Sequence, residues 1–252
     1  MNHRIGAQTI TWGETIKENM RTIVRFLSAH SFAGVETGMR HFDATRPELY
    51  RALYEELGVA PLGLHSGGQF WLPDAAEAER RKLWDTLAFA QAVGFHWMVV
   101  SGNKTETADS MLKATETYTQ IGRRCREAGL RFAYHNHNWE LANDAEILDV
   151  LVQNTDSADV SLVLDIAWAH VGGTSIDDLL DRYGDRIAYL HIKDVSGEEF
   201  CELGTGDVDL DHVLQLADAN GIEWLVVEQD YTKRTPEESM TINRDYLSAR
   251  GW

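Results

Sequence analysis

Cysteine is scarce. The 252-residue chain has two, Cys125 and Cys201, without C-x-x-C spacing, which excludes a disulfide framework and a thiolate zinc site and fits a reducing cytoplasm. Basic charge is scarce too: 23 Lys and Arg against 40 Asp and Glu give a formal net charge of −17. Such a surface repels phosphate backbones and anionic headgroups unless a local basic patch intervenes. The group Arg123, Arg124 and Arg126 is short and falls in a helix-like stretch. Nucleic acid and membrane are therefore not expected partners, and a small neutral or metal-held molecule is. No apolar run approaches about 18 residues, and the opening MNHRIGAQTITWGET lacks the apolar core of a signal peptide; a soluble, cytoplasmic protein is expected. There are 4 prolines, and no Ser-, Gly- or Pro-rich tract divides the chain. One domain over 1–252 is the expectation, a length that α/β barrels use as a single unit.

What is present is a rhythm. Short apolar runs of strand type alternate with longer amphipathic stretches. Strands are expected at 5–11, 34–36, 59–65, 96–101, 131–136, 160–166, 187–192 and 223–228. Helices are expected at 16–30, 47–57, 75–93, 109–128, 145–153, 176–183, 210–219 and 236–249. Gly94, Gly129 and Gly221 sit just past helical stretches, where a left-handed residue is wanted. Thr235-Pro236-Glu237-Glu238 reads as a helix start, with proline pre-setting φ and acids in the first turn. Eight βα units point to a single-domain (β/α)₈ TIM barrel. An open doubly wound sheet is the runner-up, but no GxGxxG follows the first strand.

In a barrel, active sites lie where strands exit. His65, Asp165, His191 and Glu228 end their strands, and His135, His137 and Glu140 leave the fifth within YHNHNWE. Glu140, Asp165, His191 and Glu228 form the candidate metal set. Carboxylates converging at such positions would be desolvated and would repel one another. A divalent cation removes both objections; an oxygen-rich site with one imidazole suits Mn²⁺ first, with Mg²⁺, Co²⁺ or Zn²⁺ as alternatives. Any one of these residues alone reads more readily as a rim group or salt-bridge partner. His135 and His137 share a face by period-2 alternation, as neighbours of the metal or of substrate, or as structural histidines.

The stretches YHNHNWE, LVLDIAWAH, YLHIKD and VVEQD, with IGAQTITWG and GVETG near the N-terminus, resemble the xylose-isomerase-like sugar isomerase/epimerase superfamily. Its relatives include ketose 3-epimerases, hydroxypyruvate isomerase, inosose dehydratase and keto-glycoside lyases. The resemblance runs over essentially the whole chain. It implies a metal held by Glu140, Asp165, His191 and Glu228, and proton transfer by Glu140 and Glu228 on opposite faces of a keto sugar. The cation would act as a Lewis acid toward a carbonyl and its neighbouring hydroxyl. One enediolate then serves isomerisation, epimerisation, dehydration and glycoside cleavage alike.

Lys193, two residues beyond His191, is a candidate base or charge-neutralising group, or a barrel-mouth lysine paired with an acid. Trp12, His65, His137, Trp168 and His170 are candidate substrate contacts, with packing the simpler reading of the tryptophans. Two departures from the ketose-epimerase pattern stand out: Trp168 replaces a histidine three residues after Asp165, and VSGEEFCELGTG carries no arginine. Both weaken a reading as a free-ketose 3-epimerase. AWAHVGG and HIKD are closer to the inosose dehydratase and keto-glycoside lyase group, so a cyclic or glycosidic keto substrate is expected. The alternatives are a non-catalytic sugar-binding or partner subunit and an endonuclease-IV-like DNA repair enzyme. The latter needs more strand-exit histidines than this chain has, and its acidic balance opposes DNA. Assembly as a homo-oligomer or with another subunit stays open.

Overall fold

The structure is a computed structural model and describes residues 3–70, 73–102 and 107–252. Eight parallel strands close on themselves: β1 (Arg4–Gln8), β2 (Gly34–Gly38), β3 (Ala60–Gly67), β4 (Trp97–Ser101), β5 (Arg131–His135), β6 (Ser161–Asp165), β7 (Ile187–Ile192) and β10 (Trp224–Val227). The barrel shuts where β1 pairs with both β2 and β10. The helices are α1 (Ile16–Ala29), α2 (Pro47–Leu57), α3 (Pro73–Val93), α4 (Ala108–Glu127), α5 (Asn138–Gln153), α6 (Ile166–Gly172), α7 (Ile176–Tyr183), α8 (Leu210–Ala219) and α9 (Pro236–Ser248). None is long and apolar enough to cross a membrane among the described residues. The expected (β/α)₈ barrel is the architecture observed.

Two apolar layers hold it. Leu62, Trp97, Val99, Ala133, Val163, Tyr189, Trp224 and Val226 fill the interior of the barrel. The outward residues of the same strands, such as Leu64, Met98, Phe132, Leu164 and Leu225, join the larger core under the helices. Alternation along the strands therefore sorts one sequence into two cores, except in β3, where the register shift against β2 lets Leu62 face inward and Leu64 outward.

Helix α4 shows how little slack remains. It starts on a capping box in which Thr107 Oγ1 accepts from Ser110 N and Ser110 Oγ accepts from Thr107 N. It passes the turn before β6 so closely that a Cβ on Gly122 would overlap the Asp159 carbonyl oxygen and stand 2.7 Å from the carbonyl carbon. Backbone cannot yield as a flexible side chain can. Gly122→Ala is therefore expected to destabilise by about 3 kcal/mol, the upper end for overpacking, measured by urea denaturation.

Several elements were not expected, among them a 3-10 helix, Thr9–Thr15, that takes the last residues of the first strand expected at 5–11. Residues 166–172 form a helix, α6, where the sixth strand was expected to end at 166 and no further element was expected before the helix at 176. Strands β8 (Asp194–Ser196) and β9 (Glu199–Cys201) form an antiparallel hairpin after β7, turning at Gly197 with φ +61°. Asp194 anchors the loop between this hairpin and α8: its carboxylate accepts from the backbone N–H groups of Val195, Gly204, Gly206 and Val208.

Candidate metal centre

Counting two residues onward from the barrel interior reaches the mouth. Ala133 leads to His135, Val163 to Asp165, Tyr189 to His191 and Val226 to Glu228. All four are buried, and each offers one ligand atom such that these atoms lie within 4.8 Å of one another. His191 Nδ1 faces Glu228 Oε2, and His135 Nε2 lies 3.5 Å from Asp165 Oδ2 and 3.9 Å from Glu228 Oε2. Yet His135 Nδ1 and Nε2, Asp165 Oδ2, His191 Nδ1 and Glu228 Oε2 make no hydrogen bond of good geometry. Buried polar atoms are normally satisfied. Several left over and turned toward one another form a buried group that suits a divalent metal, and two imidazoles with two carboxylates are a donor set for first-row ions.

The remaining atoms of these side chains are spoken for. Asp165 Oδ1 accepts from Trp168 N at 3.0 Å and so starts α6, leaving Oδ2 for the cluster. Asn136 pairs with the Asp165 backbone, Oδ1 accepting from its N–H at 3.0 Å and Nδ2 donating to its carbonyl. Lys193 is fully buried. Its Nζ reaches Asp165 Oδ2 at 2.9 Å, Glu228 Oε1 at 3.0 Å and Asp230 Oδ2 at 2.6 Å. Trp168 and Phe200 cover it, their rings 5.3 and 4.9 Å from Nζ.

Electrostatics follow from these contacts. Burial raises the Glu228 carboxyl, but Lys193 and His191 outweigh it and hold the group well below its usual range. Asp165 is also lowered, against burial, by Lys193 and His135. Burial opposes charge on His191 and Lys193 as well. Glu36 and Glu228 nevertheless lift His191 to about 10, and the three carboxylates lift Lys193 well above its ordinary value. His135 and His137 are kept neutral, chiefly by burial, which takes His137 down to about 2. Asp230 goes the other way: burial raises its carboxyl.

Glu140 is not in this group. Helix α5 begins at Asn138, so Glu140 falls in its first turn, where Oε2 accepts from His137 N at 2.7 Å and Oε1 accepts from the Tyr134 hydroxyl at 2.7 Å. Outward-facing Tyr134 draws the carboxylate into the core under the helices. The position expected for Glu140 is filled by His135, so the donor set has two imidazoles and not one.

Beside the cluster lies a cavity of about 570 Å³, whose lining includes Thr9, Arg40, His65, Ser101, His135, His137, Glu228 and Asp230. His65 and His137, two of the candidate substrate contacts, thus line this cavity. Trp12, Trp168 and His170 are not among the lining residues. Trp12 is buried and donates from Nε1 to Glu237 Oε1 at 2.7 Å; Trp168 packs against Phe200 at the hairpin; and His170 is exposed on α6. Lys193 stands behind Glu228 and Asp230, also outside the lining. Sequence reasoning missed Asp230, two residues beyond Glu228 on the same alternation, and Glu36 inside β2.

The chain matches the family described as "Xylose isomerase-like TIM barrel" over residues 24–249. It belongs to that family. Among curated relatives it is 42% identical over 71 residues to an inosose dehydratase of Geobacillus kaustophilus, covering 28% of this chain and 23% of the relative. It is 27% identical over 165 residues to an inosose dehydratase of Lacticaseibacillus casei, covering 57% and 55%. The chain thus spans 55% or less of these relatives' own length. A sugar phosphate isomerase/epimerase from Parabacteroides distasonis superposes with a TM-score of 0.85 at 20% identity, covering 99% and 94% of the two chains. IolI protein, solved with a bound zinc atom, superposes at 0.82 and 16% identity, covering 98% and 97%. These structures share the fold.

Proposed function

We propose that the chain is a divalent-metal-dependent enzyme acting on a keto-cyclitol or keto sugar, removing a proton next to the ketone and then expelling a β-hydroxyl. The observation that carries this reading is the set of buried ligand atoms of His135, Asp165, His191 and Glu228 converging within 4.8 Å of one another beside a cavity. Those four would hold the cation. Bound there, it would polarise a ketone and its neighbouring hydroxyl and so acidify the adjacent C–H bond. The inosose dehydratase relatives and the zinc bound to IolI favour the same substrate class and a divalent ion.

The residues divide the proton work. Glu228, kept ionised by Lys193, takes the proton from carbon. Asp230 also faces the cavity, and burial keeps a proton on it more readily than on a free aspartate. It gives that proton to the departing hydroxyl, so the C–O bond breaks and water leaves. Lys193 bridges the two carboxyls and offsets charge as the proton moves. Ser101 and His137 line the cavity and would bind hydroxyls, with His65 holding the Ser101 hydroxyl. With Glu140 turned into the core, a pair of glutamates on opposite substrate faces is not available, which favours elimination over epimerisation.

The test is made in D₂O with chelator-stripped protein reloaded with Mn²⁺, Co²⁺, Mg²⁺ or Zn²⁺ and given a keto-cyclitol or a 3-keto-glycoside. Loss of the α-hydrogen signal only in reloaded samples, with an enone forming from the cyclitol, is expected. No exchange with any ion would leave a binding protein in place of an enzyme.

A further inference from the structure

Glu36 lies inside the barrel on β2, is 0% exposed, and does not line the cavity. Its Oε2 accepts from the Tyr189 hydroxyl at 2.6 Å and from His191 Nε2 at 3.1 Å, and its Oε1 accepts from His65 Nδ1 at 3.0 Å. An ionised carboxylate only accepts hydrogen bonds. The facing nitrogens must therefore carry hydrogen: Nε2 on His191 and Nδ1 on His65. This leaves His191 Nδ1, the atom turned toward Glu228, as the one that can offer a lone pair to a cation. It also leaves His65 Nε2 to accept from the Ser101 hydroxyl at 2.9 Å.

The barrel reserves room for this arrangement. Glu36 pairs in register with Gly63, next to a register shift between Val35 and Glu36. A Cβ at Gly63 would stand 2.9 Å from Glu36 Cγ, 3.0 Å from its Oε2 and 3.1 Å from the Tyr189 hydroxyl oxygen. An apolar side chain in place of a buried charged group is often at least as good for stability, so packing does not account for a glutamate here.

We propose that Glu36 is a positioning residue: one carboxylate that sets which nitrogen of His191 faces the cation site and aims His65 into the cavity. This rests on the cluster being a cation site. A carboxylate behind a ligating imidazole fixes its tautomer and orientation, and its loss typically costs about 10–100-fold in metal affinity.

The experiment measures Co²⁺ and Zn²⁺ affinity by competition with a chromophoric chelator, together with the Co²⁺ ligand-field spectrum, in wild type and Glu36→Gln. Affinity lower by about 10–100-fold and an altered spectrum are expected. A folded Glu36→Gln that binds as wild type does, with the same spectrum, overturns the inference. If that variant fails to fold, Gly63→Ala keeps every donor while pushing the carboxylate aside; weakened binding supports the inference and unchanged binding overturns it. Should wild type bind no cation, the reading of the cluster falls by itself. The low-field imidazole N–H proton signals of the metal-free protein then decide: their loss in Glu36→Gln supports the positioning role, and their persistence refutes it.

Discussion

Lys193→Met is expected to lower the melting temperature of the metal-free protein by on the order of 10 °C, and a divalent cation in excess to restore much of the loss. Asp165, Glu228 and Asp230 share the single ammonium of Lys193, whose Nζ lies within 3.0 Å of all three. Methionine keeps most of the stem under Trp168 and Phe200 but removes the charge. Removing one partner of a buried ion pair costs about 3–5 kcal/mol, because the charge left behind has no solvent to return to. For a domain of this size each kcal/mol moves the midpoint by roughly 2–4 °C. A cation that binds only the folded chain contributes about 2.7 kcal/mol at a hundredfold excess over its Kd. Differential scanning calorimetry with and without chelator checks both halves. A midpoint that does not move in the metal-free variant would show that the ammonium is not what holds the carboxylates together.

The second large effect separates two glutamates of opposite fate. Glu228→Gln is expected to lower kcat by about 10²–10⁴-fold even at saturating cation, the range for losing a proton-transfer group, and to weaken cation binding as well, since the same carboxylate belongs to the ligand group. Glu140→Gln is expected to leave cation affinity near wild type. It should cost about 1 kcal/mol of stability instead, because it weakens the contacts at the start of α5. Stopped-assay kinetics beside urea denaturation distinguish them. Should Glu140→Gln abolish turnover while its stability is unchanged, the assignment of that carboxylate to the core is wrong.

Why Glu140 looked like a ligand is instructive. A helix was expected from 145, and one does follow there; the structure adds a separate single turn from Asn138, cut off from it by Ala142 with ψ 158° and by Asn143, Asp144 and Ala145 with φ of +52°, +59° and +61°. No local signal gives three successive left-handed residues, so the first turn reads as a loop free to bend back. The better clue was the alternation itself: Ala133 faces inward, so His135 does too, and the mouth position was already taken. The same rule places Asp165, His191 and Glu228 directly. Periodicity gave the barrel because every strand separates two apolar cores. The segments 187–192, 47–57, 176–183 and 210–219 agree with the structure end to end. Helix α6 was hidden because the one polar residue before IAWAHVG, Asp165, was taken as a strand-exit ligand and not also as the cap that starts a helix. Glu36 escaped notice because a single acid in a five-residue strand gives no hint of the Tyr189 and His191 donors waiting across the barrel.

Asp165 serves two masters with one side chain: Oδ1 begins a helix while Oδ2 joins the cluster. Asparagine could do the first task and not the second, whereas glutamate, a methylene longer, would keep the charge and misplace the cap. A descendant of this barrel released from its chemistry could therefore drift to asparagine there with its architecture undisturbed. In a newly met sequence, that one exchange would be the mark of a retired copy.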